Sequence, residues 1–137
     1  MRKEKSCGAL LIEQCGDTHN ILLIQHKTGH WSFPKGHMEH GETEQMTAIR
    51  EVKEETSVDA QLFSDFRESV TYSPKRDTIK TVVYFLAHPQ NHDCKPQLSE
   101  VRATGWFSFE EAEQMITYDN DKAIFAKMKK FVTENGF

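Results

Sequence analysis

The feature that most constrains this chain is the segment 36–58, in which a glycine-led turn runs into a helix crowded with glutamates. Glu51, Glu54 and Glu55 recur at i, i+3 and i+4, so a helix gathers their carboxylates within an arc of roughly 100°. Like charges at this spacing destabilise a helix unless a cation lies over them. Because hard divalent cations take carboxylate oxygens as ligands, the arc indicates a metal site, with a merely solvated acidic face as the alternative.

The turn before this helix favours the metal site over the solvated face. Gly36 and Gly41 give the backbone room for a positive φ or for a close approach to a ligand. Lys35 and His37 flank the first glycine, and their side chains suit an anion that is held beside a metal ion. The segment therefore predicts a site that combines a cation with an anionic ligand.

The complete pattern resembles the signature of the Nudix hydrolases. It runs from Gly36 over five residues to Glu42, over seven more to Arg50-Glu51, and then through Glu54-Glu55 to Ser57-Val58. The resemblance implies that the three glutamates of the arc, Glu51, Glu54 and Glu55, bind divalent ions and take part in catalysis. It also implies that the backbone carbonyl around Lys35–Gly36 adds a metal ligand. The expected cofactor is Mg²⁺, or alternatively Mn²⁺.

Two further positions of the signature concern structure. The resemblance implies that Arg50 pairs with Glu42 and steadies the loop against the helix. Ser57 stands where the signature has its last glycine, just past the end of the helix. If this residue must be left-handed, the serine is expected to cost on the order of 1 kcal/mol of stability and to leave the charge chemistry intact.

Composition limits the class of protein. At 137 residues and 37% hydrophobic, the chain suits one domain spanning 1–137. A formal charge of −4 gives no global attraction to nucleic acid, so nucleic acid is not an expected partner. We expect no membrane partner either, since no apolar run approaches a bilayer span and the N-terminus lacks a signal-peptide layout. Cys7, Cys15 and Cys94 are unpaired in spacing, which predicts reduced thiols in a cytoplasmic protein.

Strand and helix patterns alternate along the chain. Strands are predicted at Cys7–Gln14, Ile21–Gln25, Ala60–Tyr72, Thr78–Ala87 and Gly105–Phe107. Ser108 and Glu111 form a capping box that opens a second helix, and Asp119 is expected to cap a third. Strands interrupted by helices predict an α/β class with a mixed sheet and helices on both faces. The Nudix resemblance implies the same α/β/α sandwich, built around the signature loop-helix-loop.

The signature helix itself is expected to dock on the sheet through the residues opposite the glutamate arc. These residues are Ala48, Ile49, Val52 and Thr56. Docking through this face would hold the carboxylates on a rigid element that faces a cleft.

Residues outside the signature resemble one branch of the superfamily, the asymmetric diadenosine tetraphosphate hydrolases. The similarity lies in the segments 30–37, HWSFPKGH, and 80–87, KTVVYFLA. It implies hydrolysis of diadenosine tetraphosphate to ATP and AMP, with phosphates meeting cations and adenine stacking on aromatic rings. The substrate-binding residues so implied are His30, Lys35, His37, Lys80, Tyr84 and Tyr118.

Several of these assignments have a structural alternative. Tyr84 lies on an apolar strand and is equally consistent with a buried core residue, and Tyr72 and Tyr118 could be simple surface aromatics. Glu100, in the loop before the last strand, matches a glutamate that many Nudix enzymes use to bind metal or activate water. An ordinary loop acid is equally compatible there, and the choice of Glu51 or Glu100 as general base stays open.

Three functions remain open at this stage. The first is cleavage of dinucleoside polyphosphates, with a small nucleotide as the substrate. The second is a Nudix enzyme that acts on a nucleoside triphosphate, an RNA 5′ end or an inositol pyrophosphate, although the acidic balance disfavours RNA. The third is a non-catalytic nucleotide-sensing module, which would have no need of the three glutamates. The sequence leaves the oligomeric state open.

Overall fold

A mixed sheet runs through the centre of the computed structural model, which describes residues 1–91 and 101–137. The strands within these residues are β1 (Arg2–Cys15), β2 (Thr18–His26), β3 (Trp31–Ser32), β4 (Lys35–His37), β5 (Ala60–Tyr72), β6 (Thr78–Pro89) and β7 (Val101–Ser108). Strands β3, β2, β1, β6 and β5 follow one another across the sheet, while β4 pairs with β1 and β7 with β2. The pair β1–β6 is parallel, and its neighbours β2 and β5 are antiparallel to it.

Helices cover both faces of this sheet, and they are α1 (Glu44–Thr56), α2 (Phe109–Met115) and α3 (Asp119–Asn135). Alternate residues of β1 serve the two faces: Leu10 clusters with Phe125 of α3, whereas Leu11 clusters with Val52 of α1. The predicted α/β/α sandwich is therefore confirmed. Within the described residues, no helix combines the length and the apolarity that crossing a bilayer requires.

The N-terminus of α1 is fastened to two strands by charge. Glu44 forms an ion pair with Lys5 of β1 at 2.6 Å and accepts two hydrogen bonds from the guanidinium of Arg67 on β5, both at 2.8 Å. Just before it, the Thr43 side chain caps the helix by accepting the backbone N–H of Met46 at 3.1 Å. These contacts set where α1 starts, and they thereby set which cleft its glutamates face.

The buried face of α1 differs from the prediction at one position. Ala48, Val52 and Thr56 are fully buried, but Ile49 is 41% exposed. Since successive helical residues point about 100° apart, Ile49 falls at the rim of a face that is centred nearer Ala48 and Val52. The inclusion of Ile49 in the docking face was wrong.

The starts of the two C-terminal helices show one confirmed cap and one correction. Ser108 and Glu111 form the predicted capping box, with reciprocal hydrogen bonds of 3.0 and 3.1 Å. The N-cap of α3 is Tyr118, without a side-chain cap, and Asp119 is the first helical residue. Asp119 therefore does not cap the helix, although an acid in the first turn still suits the helix dipole.

Ser57 ends α1 in a left-handed conformation. This conformation is strained for serine, whereas the glycine that the Nudix signature has at this position would adopt it without strain. The φ of 65° and ψ of 11° of Ser57 are left-handed, and its N–H donates to the Lys53 carbonyl at 2.9 Å. A residue with a Cβ is disfavoured in this region, because the Cβ crowds the following carbonyl oxygen. The predicted strain at Ser57 is therefore present.

Replacing Ser57 with glycine should raise the free energy of unfolding by up to about 1 kcal/mol, because glycine adopts a positive φ without the Cβ clash. The greater freedom of glycine in the unfolded chain subtracts part of this gain. Urea denaturation measures the change. Ser57→Ala is the matched control, since it keeps the Cβ. A gain in the alanine variant equal to that of the glycine variant would contradict the backbone explanation.

Candidate active site

A cavity of about 350 Å³ opens beside α1, and its walls come from elements that are distant in sequence. It is lined by Ser6, His26, Lys35, Gly36, His37, Glu39, Glu51, Glu55 and Lys80. Most of the site residues predicted from the sequence are in this group. The exceptions are Glu54, at the exposed edge of the arc, the aromatic residues His30, Tyr84 and Tyr118, and Glu100, which lies outside the described residues.

Arg50 joins the loop to the helix. Its Nε and Nη2 donate to the two carboxylate oxygens of Glu42, at 2.7 and 3.0 Å. Nη2 also donates to the backbone carbonyl of His37 at 2.9 Å. Nη1 donates to Glu51 at 2.7 Å and to Glu54 at 3.2 Å. One planar guanidinium therefore positions the loop and two glutamates of the arc together, and the expected Arg50–Glu42 pair is present.

The pairing strongly favours the ionised form of Glu42. Its hydrogen bonds with Arg50 and with the backbone N–H of Glu39 lower the pKa of Glu42 from 4.5 to about 2. Hydrogen bonds with Glu42 first, and then with Glu51 and Glu54, raise the pKa of Arg50 above its ordinary value. Both partners stay charged over the whole physiological range of pH.

The three carboxylates of the arc differ in exposure. The side chain of Glu54 is 47% exposed and that of Glu51 is 13% exposed, while Glu55 as a residue is only 3% exposed. The buried carboxylate of Glu55 accepts the backbone N–H of Lys35 at 2.8 Å. The arc therefore extends from solvent at Glu54 to the interior at Glu55, where a backbone donor compensates the charge.

Gly36 is a glycine because the carboxylate of Glu51 occupies the place of a side chain. A Cβ at this position would lie 2.0 Å from both the carboxyl carbon and one carboxylate oxygen of Glu51. No atom other than hydrogen fits at that distance, so any larger residue must displace Glu51. The backbone of β4 at Gly36 thus lies in direct contact with the Glu51 carboxylate of α1, and only glycine permits this contact.

Two ammonium groups share the cavity with these acids. Both Lys35 and Lys80 are half-buried and line its wall. Burial lowers the pKa of Lys80 below its ordinary value of 10.5, and the neighbouring charge of Lys35 lowers it further. An anion bound in the cavity would relieve this repulsion, because each ammonium would then face an opposite charge.

Aromatic rings lie next to this cationic wall. His30 and Tyr118 contact each other with ring centroids 5.0 Å apart and planes inclined at 51°. Tyr118 is 53% exposed, so much of its ring is accessible to a flat ligand. The other side of His30 stacks on His26, with a centroid distance of 4.0 Å.

Tyr84 is not accessible, and its prediction as a stacking residue was wrong. It is completely buried and packs edge-on against Phe33, with ring centroids 5.3 Å apart. The reason is its position on β6, a strand inside the sheet whose two faces are covered by helices. A nucleobase cannot reach a ring in that layer, and the core alternative for Tyr84 is the correct one.

Sequence reasoning missed the cavity residues Ser6, His26 and Glu39, and it also missed Tyr72 beside the cavity. Tyr72, interpreted as a surface aromatic, is half-buried on β5 and lies opposite Lys80 in the register of the hairpin. Burial raises the pKa of Tyr72, and the charges of Asp121 and Tyr118 raise it further. The polar turn between β5 and β6 could have predicted that Tyr72 lies opposite Lys80. No local pattern could have predicted that His26 lines the cavity. Glu100 and Cys94 lie outside the described residues.

The geometry agrees with a family comparison. A family model, the NUDIX domain, matches residues 4–128. The chain belongs to the Nudix family. As a Nudix enzyme it is a pyrophosphohydrolase, of a class that depends on divalent metal ions.

Individual Nudix relatives show similarity over most of the chain. It is 34% identical over 140 residues to the asymmetrical bis(5′-nucleosyl)-tetraphosphatase of Sus scrofa, covering 93% of this chain and 95% of that protein. The crystal structure of a Caenorhabditis elegans Ap4A hydrolase binary complex matches with a TM-score of 0.86 and 28% identity, covering 98% and 99% of the two chains. An 8-oxo-(d)GTP phosphatase of Mycolicibacterium smegmatis is 34% identical over 100 residues, covering 73% of this chain and 30% of that protein.

The donors of the Nudix signature fit a hard divalent ion. Within the described residues, no three His, Cys, Asp or Glu side chains are gathered as a ready metal site. Glu51 and Glu54 share the Nη1 of Arg50 as a hydrogen-bond donor, whereas Glu55 accepts the Lys35 N–H instead. Yet all three groups are oxygen donors, and Glu51 lies against the backbone at Gly36. Mg²⁺-type ions use one or two carboxylates and complete their shell with water and phosphate, which suits this set.

Replacing Glu42 with glutamine should lower the urea midpoint of unfolding at neutral pH. It should also make that midpoint change less between neutral and acidic pH. Because the pKa of Glu42 is about 2 in the folded protein against an ordinary 4.5, its contribution is complete above 4.5 and is lost as pH falls toward 2. Urea midpoints of the wild type and Glu42→Gln should therefore differ most above about pH 4.5 and converge near pH 2.

The matched control for this measurement is Glu134→Gln, which neutralises an exposed carboxylate on α3. Its midpoint should follow that of the wild type at every pH. If the Glu42→Gln variant instead differed from the wild type by the same amount at all pH values, the ionised pair with Arg50 would not be the cause.

Proposed function

We propose that this Nudix enzyme hydrolyses dinucleoside tetraphosphates, converting diadenosine tetraphosphate and water into ATP and AMP. The observation that carries the proposal is that Lys35 and Lys80 share one cavity with Glu51 and Glu55. This set suits linked phosphates that carry several negative charges beside a metal ion. The near-full-length likeness to the asymmetrical tetraphosphatase of Sus scrofa supports the same substrate class.

The phosphate chain is assigned to the cationic wall. Burial and the charge of Lys35 already weaken the hold of Lys80 on its proton, so both lysines gain when phosphate oxygens enter the cavity. His37 lines the same cavity and is exposed, which suits contact with a phosphate nearer the solvent. His30, beside Tyr118, is placed for the phosphate nearest one nucleoside.

One adenine is assigned to the exposed ring of Tyr118. Tyr72 is half-buried and lies opposite Lys80 on the neighbouring strand, so it is a second aromatic residue beside the lysine wall. Stacking on such rings contributes affinity with little preference among bases, because every base has a π-face. Base preference is therefore expected to be weak, and Tyr84 has no part in it.

The reaction needs a neutralised phosphate, a positioned water and a base. Glu51, Glu54, Glu55 and the Gly36 carbonyl would hold the metal, which we take to be Mg²⁺. When bound, the ion supplies charge neutralisation and lowers the pKa of coordinated water. Water adds its oxygen to one phosphorus of the anhydride, the bond from that phosphorus to the leaving phosphate breaks, and a proton passes to a base. Glu51 is the candidate base among the described residues, and Glu100 is the other candidate.

We place the enzyme in the cytoplasm as a single domain spanning 1–137, with a small nucleotide as its partner. Cys7 and Cys15 are free thiols, which supports a reducing compartment. Burial, chiefly, raises the pKa of Cys7 to about 11, so this thiol is unreactive at neutral pH.

Product analysis by chromatography with Mg²⁺ tests the substrate. Diadenosine tetraphosphate should be converted faster than ATP, an oxidised guanosine triphosphate, triphosphorylated RNA or an inositol pyrophosphate, and it should yield ATP and AMP in equal amounts. Formation of ADP alone would contradict the asymmetric cut. Preference for the oxidised triphosphate would instead favour the likeness to the Mycolicibacterium smegmatis phosphatase.

In the same assay, Glu54→Gln should reduce turnover about 100-fold or more, because a metal ligand is lost. Its thermal transition should barely move, since the exposed contact of Glu54 with Arg50 contributes little to stability. Glu134→Gln is again the charge-matched control and should keep full activity. Near-normal turnover by Glu54→Gln would show that this carboxylate does not hold the ion.

Replacing Tyr118 with alanine should raise KM for diadenosine tetraphosphate by about tenfold, because one stacking face is lost. Tyr118→Phe keeps that face and should retain a KM close to that of the wild type. Steady-state kinetics on both variants measures the difference. An unchanged KM in Tyr118→Ala would mean that the exposed ring does not contact the base.

A further inference from the structure

His26 is a cavity residue that neither the Nudix signature nor the proposed function uses. It is the last residue of β2, is half-buried and lines the same cavity as Lys35 and Lys80. Its imidazole is therefore next to the wall assigned to phosphate, but the ring is turned toward another aromatic residue. The contacts of the His26 ring indicate its structural role.

The backbone and the ring edge of His26 are both held. Its N–H donates to the His30 carbonyl at 2.9 Å, and its carbonyl accepts the N–H of Gly29 at 2.8 Å, which closes the turn between β2 and β3. Its Nε2 lies 3.0 Å from the Oγ of Ser32, a residue that is 2% exposed. A ring anchored at its edge and at its backbone has little freedom to rotate.

The face of this anchored ring supports His30. The two imidazoles stack with centroids 4.0 Å apart and planes within 17° of parallel. The Nδ1 of His30 is 2.8 Å from the hydroxyl of Thr28, and its ring contacts Tyr118 with a centroid distance of 5.0 Å. The three rings therefore form a row from the cavity wall to the exposed Tyr118.

The charges around His26 suit a neutral support. Burial, then His30, Lys35 and Lys80 lower the pKa of His26 to about 4. The ring is therefore uncharged at neutral pH, and it can lie flat against a second imidazole without repulsion. An uncharged ring in this place does not compete with the lysines for phosphate.

We propose that His26 is a positioning residue that supports the ring of His30 and, through it, sets the place of Tyr118, on which one nucleoside of the substrate rests. The proposal rests on the proposed function for the identity of that substrate. In this role the flat face of the His26 ring supports the ring of His30. The polar edge of the His26 ring serves only to anchor His26 itself.

Two variants separate the role of the ring face of His26 from the role of its polar edge. His26→Phe keeps a ring under His30 and loses the contact with Ser32, whereas His26→Gln keeps a polar group and loses the ring. His26→Gln should raise KM for diadenosine tetraphosphate about threefold to tenfold with kcat nearly unchanged, because one aromatic stack is lost. His26→Phe should restore KM to near the wild-type value. An unchanged KM in His26→Gln, or a KM in His26→Phe as high as in His26→Gln, would overturn the proposal.

His19 provides the control. It is also a half-buried histidine stacked on an aromatic ring, that of Phe109 at 5.4 Å, but it lines a different pocket. His19→Gln should leave KM unchanged, which separates a local effect at the site from a general loss of stability. Thermal unfolding of every variant is recorded alongside.

A readout that does not need turnover is the NMR spectrum of the His30 ring. Stacking on His26 shifts its carbon-bound protons upfield, and this shift should be lost in His26→Gln and kept in His26→Phe. Unchanged His30 shifts in His26→Gln would overturn the support role. If the wild type preferred another nucleotide, the substrate assignment would fail by itself, and the same KM comparison on that nucleotide would still decide the role of His26.

Discussion

The hydrogen bonds between Arg50 and Glu42 are the constraint on which the site depends. Glu42 belongs to a loop without regular structure, and the glutamates of the arc belong to a rigid helix. The guanidinium contacts both, and it also holds the His37 carbonyl at 2.9 Å. An arginine can do this because it is always charged and presents several donors in one plane. This bridge therefore fixes the loop relative to the carboxylates, together with the hydrogen bond that Glu42 accepts from Thr47 at 2.9 Å.

Acids of α1 and two lysines line the same cavity. The acids of α1 repel one another along the helix, although Arg50 pairs with two of them, while burial and then the charge of Lys35 lower the pKa of Lys80. Burial of Val52 and Thr56 and the anchoring of Glu44 hold α1 in place despite this repulsion. A divalent ion would add positive charge beside these acids, and a polyphosphate would add negative charge beside these lysines. Sites that break local stability rules in this way are typical of functional positions.

Much of the fold follows from patterns with a short range. The 3.6-residue period places the glutamates on one side of α1, the capping box starts α2, and the position after α1 requires a left-handed residue. The Arg50–Glu42 pair was implied by the resemblance to the Nudix signature, and it is present. Ile49 and Asp119 were misassigned because the rim of a helix face and the first residue of a helix depend on neighbours outside the segment.

Local pattern was thus sufficient for the three helices, the five longer strands, the acidic arc and the family of this chain, but the short strands β3 and β4 were not predicted. It was not sufficient for the aromatic part of the site. Tyr84 and Tyr118 are both tyrosines near apolar segments, yet one is completely buried and the other is 53% exposed. The difference arises because β6 lies between β1 and β5 under helices on both faces, whereas Tyr118 precedes α3 at the surface. Likewise, His26 comes to line one cavity with Lys80 only after distant strands have paired, and no period along the chain encodes that order of strands.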